Sequence, residues 1–195
     1  MEPSIPTRSQ TERLVNAAAL FALTRFCGIV KLYRLTYLLD VMHFQRTGTT
    51  VTGQAYRAYS FGPEPSHLSV LFDRGYLRRP LDQVLDVRAD ESIDVFGRLL
   101  LSKQSPHATD FTPQQVDIAN SLFERYGDAH WAEVDVSVDN GAYAVTWAQG
   151  RGHGGVIDLA RTISLDDPHA EYALERYRED QMHLRALHTH FGNAA

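Results

Sequence analysis

The 195-residue sequence contains one cysteine, Cys27, and two lysines, Lys31 and Lys103. A single thiol excludes an internal disulfide framework and any zinc site built from cysteines. Neither lysine sits in a Walker-type phosphate loop, and G-x-S-x-G and H-E-x-x-H do not occur. No apolar run reaches the ~18 residues that a membrane span needs. The longest candidate, Ala17 to Phe26, is interrupted by Thr24 and Arg25. The N-terminus carries Glu2 and Glu12 and no basic stretch leading into an apolar one, so no secretory signal is visible and a bacterial-type cytoplasmic protein is expected. Hydrophobic residues make up 44% and charged residues 22%, which excludes disorder for the bulk of the chain. The length suits one domain with a core of its own.

Charge is unevenly shared. Residues 1–100 hold 12 Lys+Arg against 10 Asp+Glu, and residues 101–195 hold 7 against 14. The acidic second half argues against a phosphate-binding surface there, because clustered Lys/Arg carry nucleic-acid affinity. It would suit a basic partner, although ordinary solubilising charge explains it as well.

Residues 1–10, with Pro3 and Pro6, read as a flexible N-terminus. Leu14, Ala18, Phe21 and Ala22 recur at helical spacing, which predicts a buried helix over Thr11 to Phe26 with Gly28 as its stop. A second helix is expected from Val30 to Thr47 on the stripe Leu35, Leu38, Leu39 and Met42, with Gly48 as its C-terminal cap. The period then changes. Thr50 to Phe61 reads as a strand that Gly62-Pro63-Glu64-Pro65 stops abruptly. A short helix from Ser66 to Arg74, ended by Gly75, follows. Leu85 and Val87 are expected to pair with Ile93 and Val95 across a turn at Ala89 to Ser92. Thr112, Pro113 and Gln115 form a capping box that opens a helix closing at Gly127, with Val116, Ala119, Phe123 and Tyr126 inward. Residues 128–149 are less defined, with Trp131 and Trp147 as packing anchors. Val156 to Leu165 reads as extended, and Asp167-Pro168 opens a last helix to about His190.

The candidate chemistry is thin. Gly150-Arg151-Gly152-His153-Gly154-Gly155 fits G-x-G-x-x-G formally, but it has only 40 residues after it and no first strand before it, so a glycine loop is expected. His183, His188 and His190 are the one histidine cluster. His183 and His190 share a helix face but lie about 10.5 Å apart along the axis, too far for one metal ion. Cys27 reads as a buried, inert thiol. No catalytic residue, cofactor site or metal site is expected, and the chain is read as not an enzyme. The remaining feature is the aromatic strand Tyr56, Tyr59 and Phe61 entering its Gly-Pro turn, since tyrosine supplies rigid area plus a hydroxyl at interfaces.

The run Lys31-Leu32-Tyr33-Arg34-Leu35-Thr36-Tyr37-Leu38-Leu39-Asp40, then His43-Phe44, Thr47-Gly48, Val51-Thr52-Gly53 and Tyr56 to Phe61 entering Gly62-Pro63-Glu64-Pro65, resembles the Panacea domain. This is the SocA-like antitoxin domain, associated with mobile genetic elements. The likeness extends over about 100 residues, from Gln10 to Gly127. The chain departs from the family pattern at Glu64, where the family has valine, and lacks a histidine in the segment from Ser137 to Trp147.

The resemblance implies an α+β fold, mainly helical with a small antiparallel sheet. It implies a single domain over residues 11–195, with residues 167–191 as a C-terminal helical extension. It implies an antitoxin that neutralises a cognate protein toxin, encoded by the adjacent gene, by direct binding that occludes the toxin's active site. One branch of the family resembles a proteolytic adaptor that hands its toxin to a ClpXP-type protease. The expected contact residues are Tyr56, Tyr59, Phe61, Gly62, Pro63 and Glu64. Nucleic acid and membrane are not expected partners; the rival reading, a DNA-binding autoregulator, rests on Arg74, Arg78 and Arg79.

Overall fold

A computed structural model describes residues 7–73, 76–150 and 154–191. Residues 1–6, Arg74, Gly75 and 151–153 of the glycine run lie outside the described residues. The architecture is organised round one helix, α2 (Ile29–Thr47), which is buried on nearly every side from Ile29 to Phe44. α1 (Arg8–Phe21), α5 (Pro113–Tyr126), α7 (Ala170–Phe191) and the strand β2 (Gly62–Pro65) pack against it. The short helices α3 (Ser66–Ser69), α4 (Leu81–Val84) and α6 (Ala142–Gln149) fill the gaps. The strands form three antiparallel pairs: β1 (Tyr56–Tyr59) with β2, β3 (Phe72–Asp73) with β4 (Tyr76–Leu77), and β5 (Leu85–Ala89) with β6 (Arg98–Ser102). A mainly helical α+β domain is therefore what the chain forms.

Caps set the starts of α1, α2 and α5. α1 begins at Arg8, three residues before the sequence reading, because Thr7 and Gln10 form a reciprocal capping box. It ends at Phe21 rather than Phe26. Apolar periodicity reports burial, and residues 22–28 are partly buried without being helical. Gly28 is not the stop of α1; it is the N-cap position of α2. Glycine has no side chain with which to cap, and Asp94 supplies the missing acceptor from the β5–β6 loop, taking the Val30 N–H at 2.9 Å. Asp94 also accepts the Phe96 N–H at 2.9 Å. That second duty corrects the expected partner of β5. Residues 93–95 are held in a loop, and β5 pairs instead with β6, Leu85 facing Ser102 and Val87 facing Leu100.

The Gly-Pro segment is a second correction. Gly62-Pro63-Glu64-Pro65 does not end the sheet but forms β2, paired with β1 from Tyr56–Pro65 to Tyr59–Gly62. Proline only forbids donating an N–H, which an edge strand can spare. The expected helix from Ser66 to Arg74 shrinks to Ser66–Ser69. α5 starts at its capping box as expected, yet its inward residues are Ile118, Ala119, Leu122 and Tyr126, with Val116 and Phe123 only partly covered. Within the span read as extended, Val156 makes one bridge, to Arg57, and Leu159–Thr162 is a short 3-10 turn.

Gly48 ends α2 at φ 72 and is pressed against α7, where a Cβ would overlap the Ala173 carbonyl oxygen. Phe44 meets Tyr177 edge-on at 5.3 Å in the same contact. Gly141 has a similar φ of 77 with open space round it. Gly141→Ala should therefore cost only the left-handed backbone term, about 1 kcal/mol. Gly48→Ala should cost clearly more, because α7 must shift as well. Urea unfolding of both variants measures the difference, and equal costs would mean that α7 is not seated on Gly48.

Candidate partner-binding site

The expected contact residues all lie on the β1–β2 hairpin and its turn. β1 is flanked on its other edge by residues 155–157: the Ala58 N–H donates to the Gly155 carbonyl at 2.9 Å and the Ile157 N–H to the Tyr56 carbonyl at 2.8 Å. The end of the glycine run thus bridges to the other edge of β1. Gly154 lies so close to the Tyr59 ring that a Cβ there would collide with it.

Arg34 fixes the hairpin turn. Its Nε and one terminal nitrogen both donate to the Phe61 carbonyl, at 3.1 and 2.8 Å. The other terminal nitrogen donates to the Trp131 and Val134 carbonyls, both at 3.1 Å, and the guanidinium lies over the Trp131 ring at 5.1 Å. The Tyr143 hydroxyl donates to the Tyr59 carbonyl at 2.6 Å. Tyr59 stacks on Phe61 at 5.6 Å, and Phe61 meets Phe96 edge-on at 5.3 Å. The outcome is an aromatic face of Tyr59, Phe61 and Phe96 on a turn that Arg34 holds. Phe96, 39% exposed, was not among the expected residues. It comes from the β5–β6 loop, 35 positions on from Phe61, and is held there by the Asp94 contact to its N–H and by the Tyr33 ring at 6.5 Å.

The six expected contact residues divide. Tyr59, Phe61 and Glu64 are half-buried and reach the surface. Burial pushes the Glu64 carboxyl above the ordinary glutamate range, against a hydrogen bond from Ser69 and the nearby charge of Arg57. Gly62 and Pro63 are buried; Gly62 takes φ 131 against the Arg34 side chain, a conformation that glycine alone adopts readily. Tyr56 is wholly buried, so it offers a partner nothing in this fold.

Tyr56 serves a buried network instead. Its hydroxyl donates to Asp40 Oδ2 at 2.6 Å. Asp40 also takes the Val51 and Thr52 N–H groups on Oδ1 at 2.8 and 2.9 Å and the Thr52 hydroxyl on Oδ2 at 2.5 Å. Burial raises the Asp40 carboxyl above the usual carboxylate range, while all four donors favour the charged form. Lys31 has the complementary surroundings. Its Nζ, fully buried, donates to the carbonyls of Arg25, Gly127 and Ala129 at 2.6, 3.2 and 2.7 Å. Tyr37 donates to Asp139 at 2.8 Å, and Asp139 accepts the Gly141 and Tyr143 N–H groups that open α6.

His43 joins α2 to α5. Its Nδ1 lies 2.8 Å from the Thr49 carbonyl, which requires a proton on that nitrogen. Nε2 is then an acceptor, facing the Gln115 amide nitrogen at 3.3 Å. The Gln115 carbonyl oxygen is already engaged by the Thr112 N–H of the α5 cap. Burial holds the His43 pKa below the ordinary imidazole value. Cys27 is buried, and its thiol is pushed up to about 12 by burial. Of the histidine cluster, the described side chain is His183, exposed on α7. Among the described residues no group of three or more His, Cys, Asp or Glu side chains is placed to hold a metal ion. In the basic cluster, Arg79 stands 4.0 Å from Asp82, and Arg74 is outside the described residues. No helix among the described residues is long and apolar enough to cross a membrane.

The central helix sets Lys31 and Arg34 on backbone carbonyls, and the hairpin beside it carries an aromatic face. The chain belongs to the SocA-like antitoxin family: the Panacea domain model matches residues 32–139. That span is displaced from Gln10–Gly127 toward the C-terminus. It begins inside α2 and continues past Gly127 to the Asp139 turn. Comparison with curated proteins and with solved structures returns no match.

Two outcomes follow from the buried groups. Tyr56→Phe should cost about 1–2 kcal/mol, and Asp40→Asn about 3 kcal/mol or more, because the amide would set an N–H₂ against donors that cannot turn away. Chemical denaturation measures both; an Asp40→Asn protein as stable as the parent would remove the network from the account. Stability should also fall as pH drops below about 6.5, where unfolded His43 gains a proton that the folded protein resists. His43→Gln should flatten that part of the profile, and the difference between the two urea-midpoint curves from pH 8 to pH 5 isolates the residue.

Proposed function

We propose that this protein is the antitoxin of a two-gene module and neutralises its toxin by direct binding that covers the toxin's active site, without catalysis. Family membership over residues 32–139 carries the reading. The proposed contact face is Tyr59, Phe61 and Glu64, joined by Phe96, on the hairpin that Arg34 clamps. Occlusion needs rigid apolar area, and a standard interface covers about 1,600 Å² over both partners. Half-buried aromatic rings on a fixed turn suit that task, because little conformational freedom is lost when they are covered. The Glu64 carboxylate, already partly desolvated, would favour a cationic group on the toxin.

The test is co-expression with the protein encoded by the adjacent reading frame. That protein alone should arrest growth, and co-expression should restore it with a complex that co-purifies. Tyr59→Ala and Phe61→Ala should each weaken the complex by about tenfold or more, as central aromatic contacts do. Rescue accompanied by loss of the toxin, dependent on a ClpXP-type protease, would favour the adaptor role. A harmless neighbour together with a sequence-specific gel shift at about 0.15 M salt would favour the autoregulator. Full binding and rescue by Tyr59→Ala would remove that residue from the face.

A further inference from the structure

Among the described residues the buried tyrosines are Tyr33, Tyr37, Tyr56 and Tyr126. All but Tyr33 spend their hydroxyls inside the fold. Tyr37 donates to Asp139, Tyr56 to Asp40 and Tyr126 to the Asp135 carbonyl. Tyr33, on α2, is 3% exposed. Its hydroxyl makes no hydrogen bond among the described residues. A buried phenol normally finds a partner, and one that does not calls for an explanation.

Tyr33 stands where the aromatic face meets α2. The rings follow one another as Tyr59, Phe61, Phe96, Tyr33 and Phe72, with centroids 5.6, 5.3, 6.5 and 6.1 Å apart. Phe72 belongs to β3, so the hairpin, the β5–β6 loop, α2 and β3 all contribute to one array. Phe61 and Phe72 are half-buried and Phe96 is 39% exposed, so the array opens to solvent.

The charges that act on the Tyr33 hydroxyl are negative. Burial pushes its pKa above the ordinary phenol range, and the Glu64 and Asp94 carboxylates push it the same way. Neither carboxylate has an ion-pair partner among the described residues. Asp94 meets the Val30 and Phe96 N–H groups, which are neutral donors. The two arginines of the neighbourhood are engaged by carbonyls. Arg57 faces Glu64 across the hairpin register and acts on it, but its guanidinium donates to the Gly154 carbonyl at 3.0 Å. Arg34 is committed to the Phe61, Trp131 and Val134 carbonyls.

We propose that the array round Tyr33 receives a cationic side chain of the toxin, lysine or arginine, with the Tyr33 hydroxyl and the Glu64 carboxylate as acceptors and the Phe61 and Phe96 rings beside it. Such a group supplies a donor to the phenol oxygen, a counter-charge to the carboxylate and a positive charge to the rings. A phosphate-bearing occupant would face two carboxylates. An apolar side chain would cover the hydroxyl and Glu64 without answering either. This inference rests on the antitoxin reading above and names the group that the toxin must bring.

Tyr33→Phe is the informative variant, because it deletes one oxygen and keeps the ring. A hydroxyl without a partner adds nothing to the fold, so the melting temperature should equal or exceed that of the parent. The dissociation constant for the protein encoded by the adjacent reading frame, measured by calorimetry, should rise about tenfold. Glu64→Gln should raise it about tenfold or more and flatten its dependence on NaCl between about 0.05 and 0.5 M. Glu64→Lys should weaken the complex further, since it sets like charges together. If the Glu64 variants fail to fold, Tyr33→Phe carries the test. A parent that binds, while Tyr33→Phe and Glu64→Gln bind within about twofold of it, overturns the proposal and leaves the antitoxin reading standing. A Tyr33→Phe protein clearly less stable than the parent shows that the hydroxyl already serves the fold and also overturns the proposal. A parent that does not bind overturns both. A parent dimer that Glu64→Lys dissociates, with toxin affinity unchanged, gives the site to a second copy of this chain and overturns the proposal.

Discussion

A helix buried on nearly every side cannot leave its polar side chains unanswered, and α2 carries Lys31, Arg34, Asp40 and His43. An uncompensated charge in a protein interior costs several kcal/mol even after relaxation. Each of these residues therefore draws a specific stretch of backbone toward α2. Lys31 gathers three carbonyls from two loops, Arg34 three from the hairpin and the 131–134 turn, and Asp40 the donors of residues 51, 52 and 56. The cations are met by carbonyl oxygens rather than by carboxylates. That choice ties loop geometry to the helix instead of tying side chain to side chain, and the loops have few other reasons to adopt one shape.

The candidate face inherits its rigidity from this arrangement. Phe61 is presented through its own carbonyl, which Arg34 grips twice. Phe96 reaches the face because Asp94 must cap a helix whose N-cap residue is glycine. The turn between α1 and α2 is held by the ammonium of Lys31 in the same way. The face proposed for the partner is thus the outer side of turns whose inner sides satisfy α2.

Legibility from sequence followed the kind of signal each element left. α2 and α5 announce themselves through apolar spacing and caps, and Gly48 and the Thr112–Gln115 box stand where the sequence places them. β2 was hidden because Gly-Pro-Glu-Pro reads as a breaker, although an edge strand tolerates proline. The pairing of β5 went wrong because Ile93 and Val95 alternate like a strand, while Asp94 between them is committed to α2. Tyr56 suits an interface by type for a similar reason, but Asp40, 16 residues earlier, and the ring of Tyr37 hold it inside. The duties of Lys31 and Arg34 left no trace at all. Their acceptors are backbone carbonyls, which every residue possesses, so no partner residue marks them.

This division bears on how partner choice is encoded. Of the segments that carry the family likeness, Lys31, Asp40, Tyr56, Gly62 and Pro63 face inward and meet only this chain. They fix the shape of the scaffold and are silent about what it binds. Discrimination between partners arises from differences in affinity at the contact, so it must lie with residues the scaffold leaves outside. Glu64 is the instructive case. Its backbone is held by the Arg57 register of β1, and its side chain is half-buried. A change of side chain at such a place alters the exposed surface while asking nothing new of the buried network. The fold can therefore be kept and the partner changed, provided that the change falls on the outer side of a turn whose inner side belongs to α2.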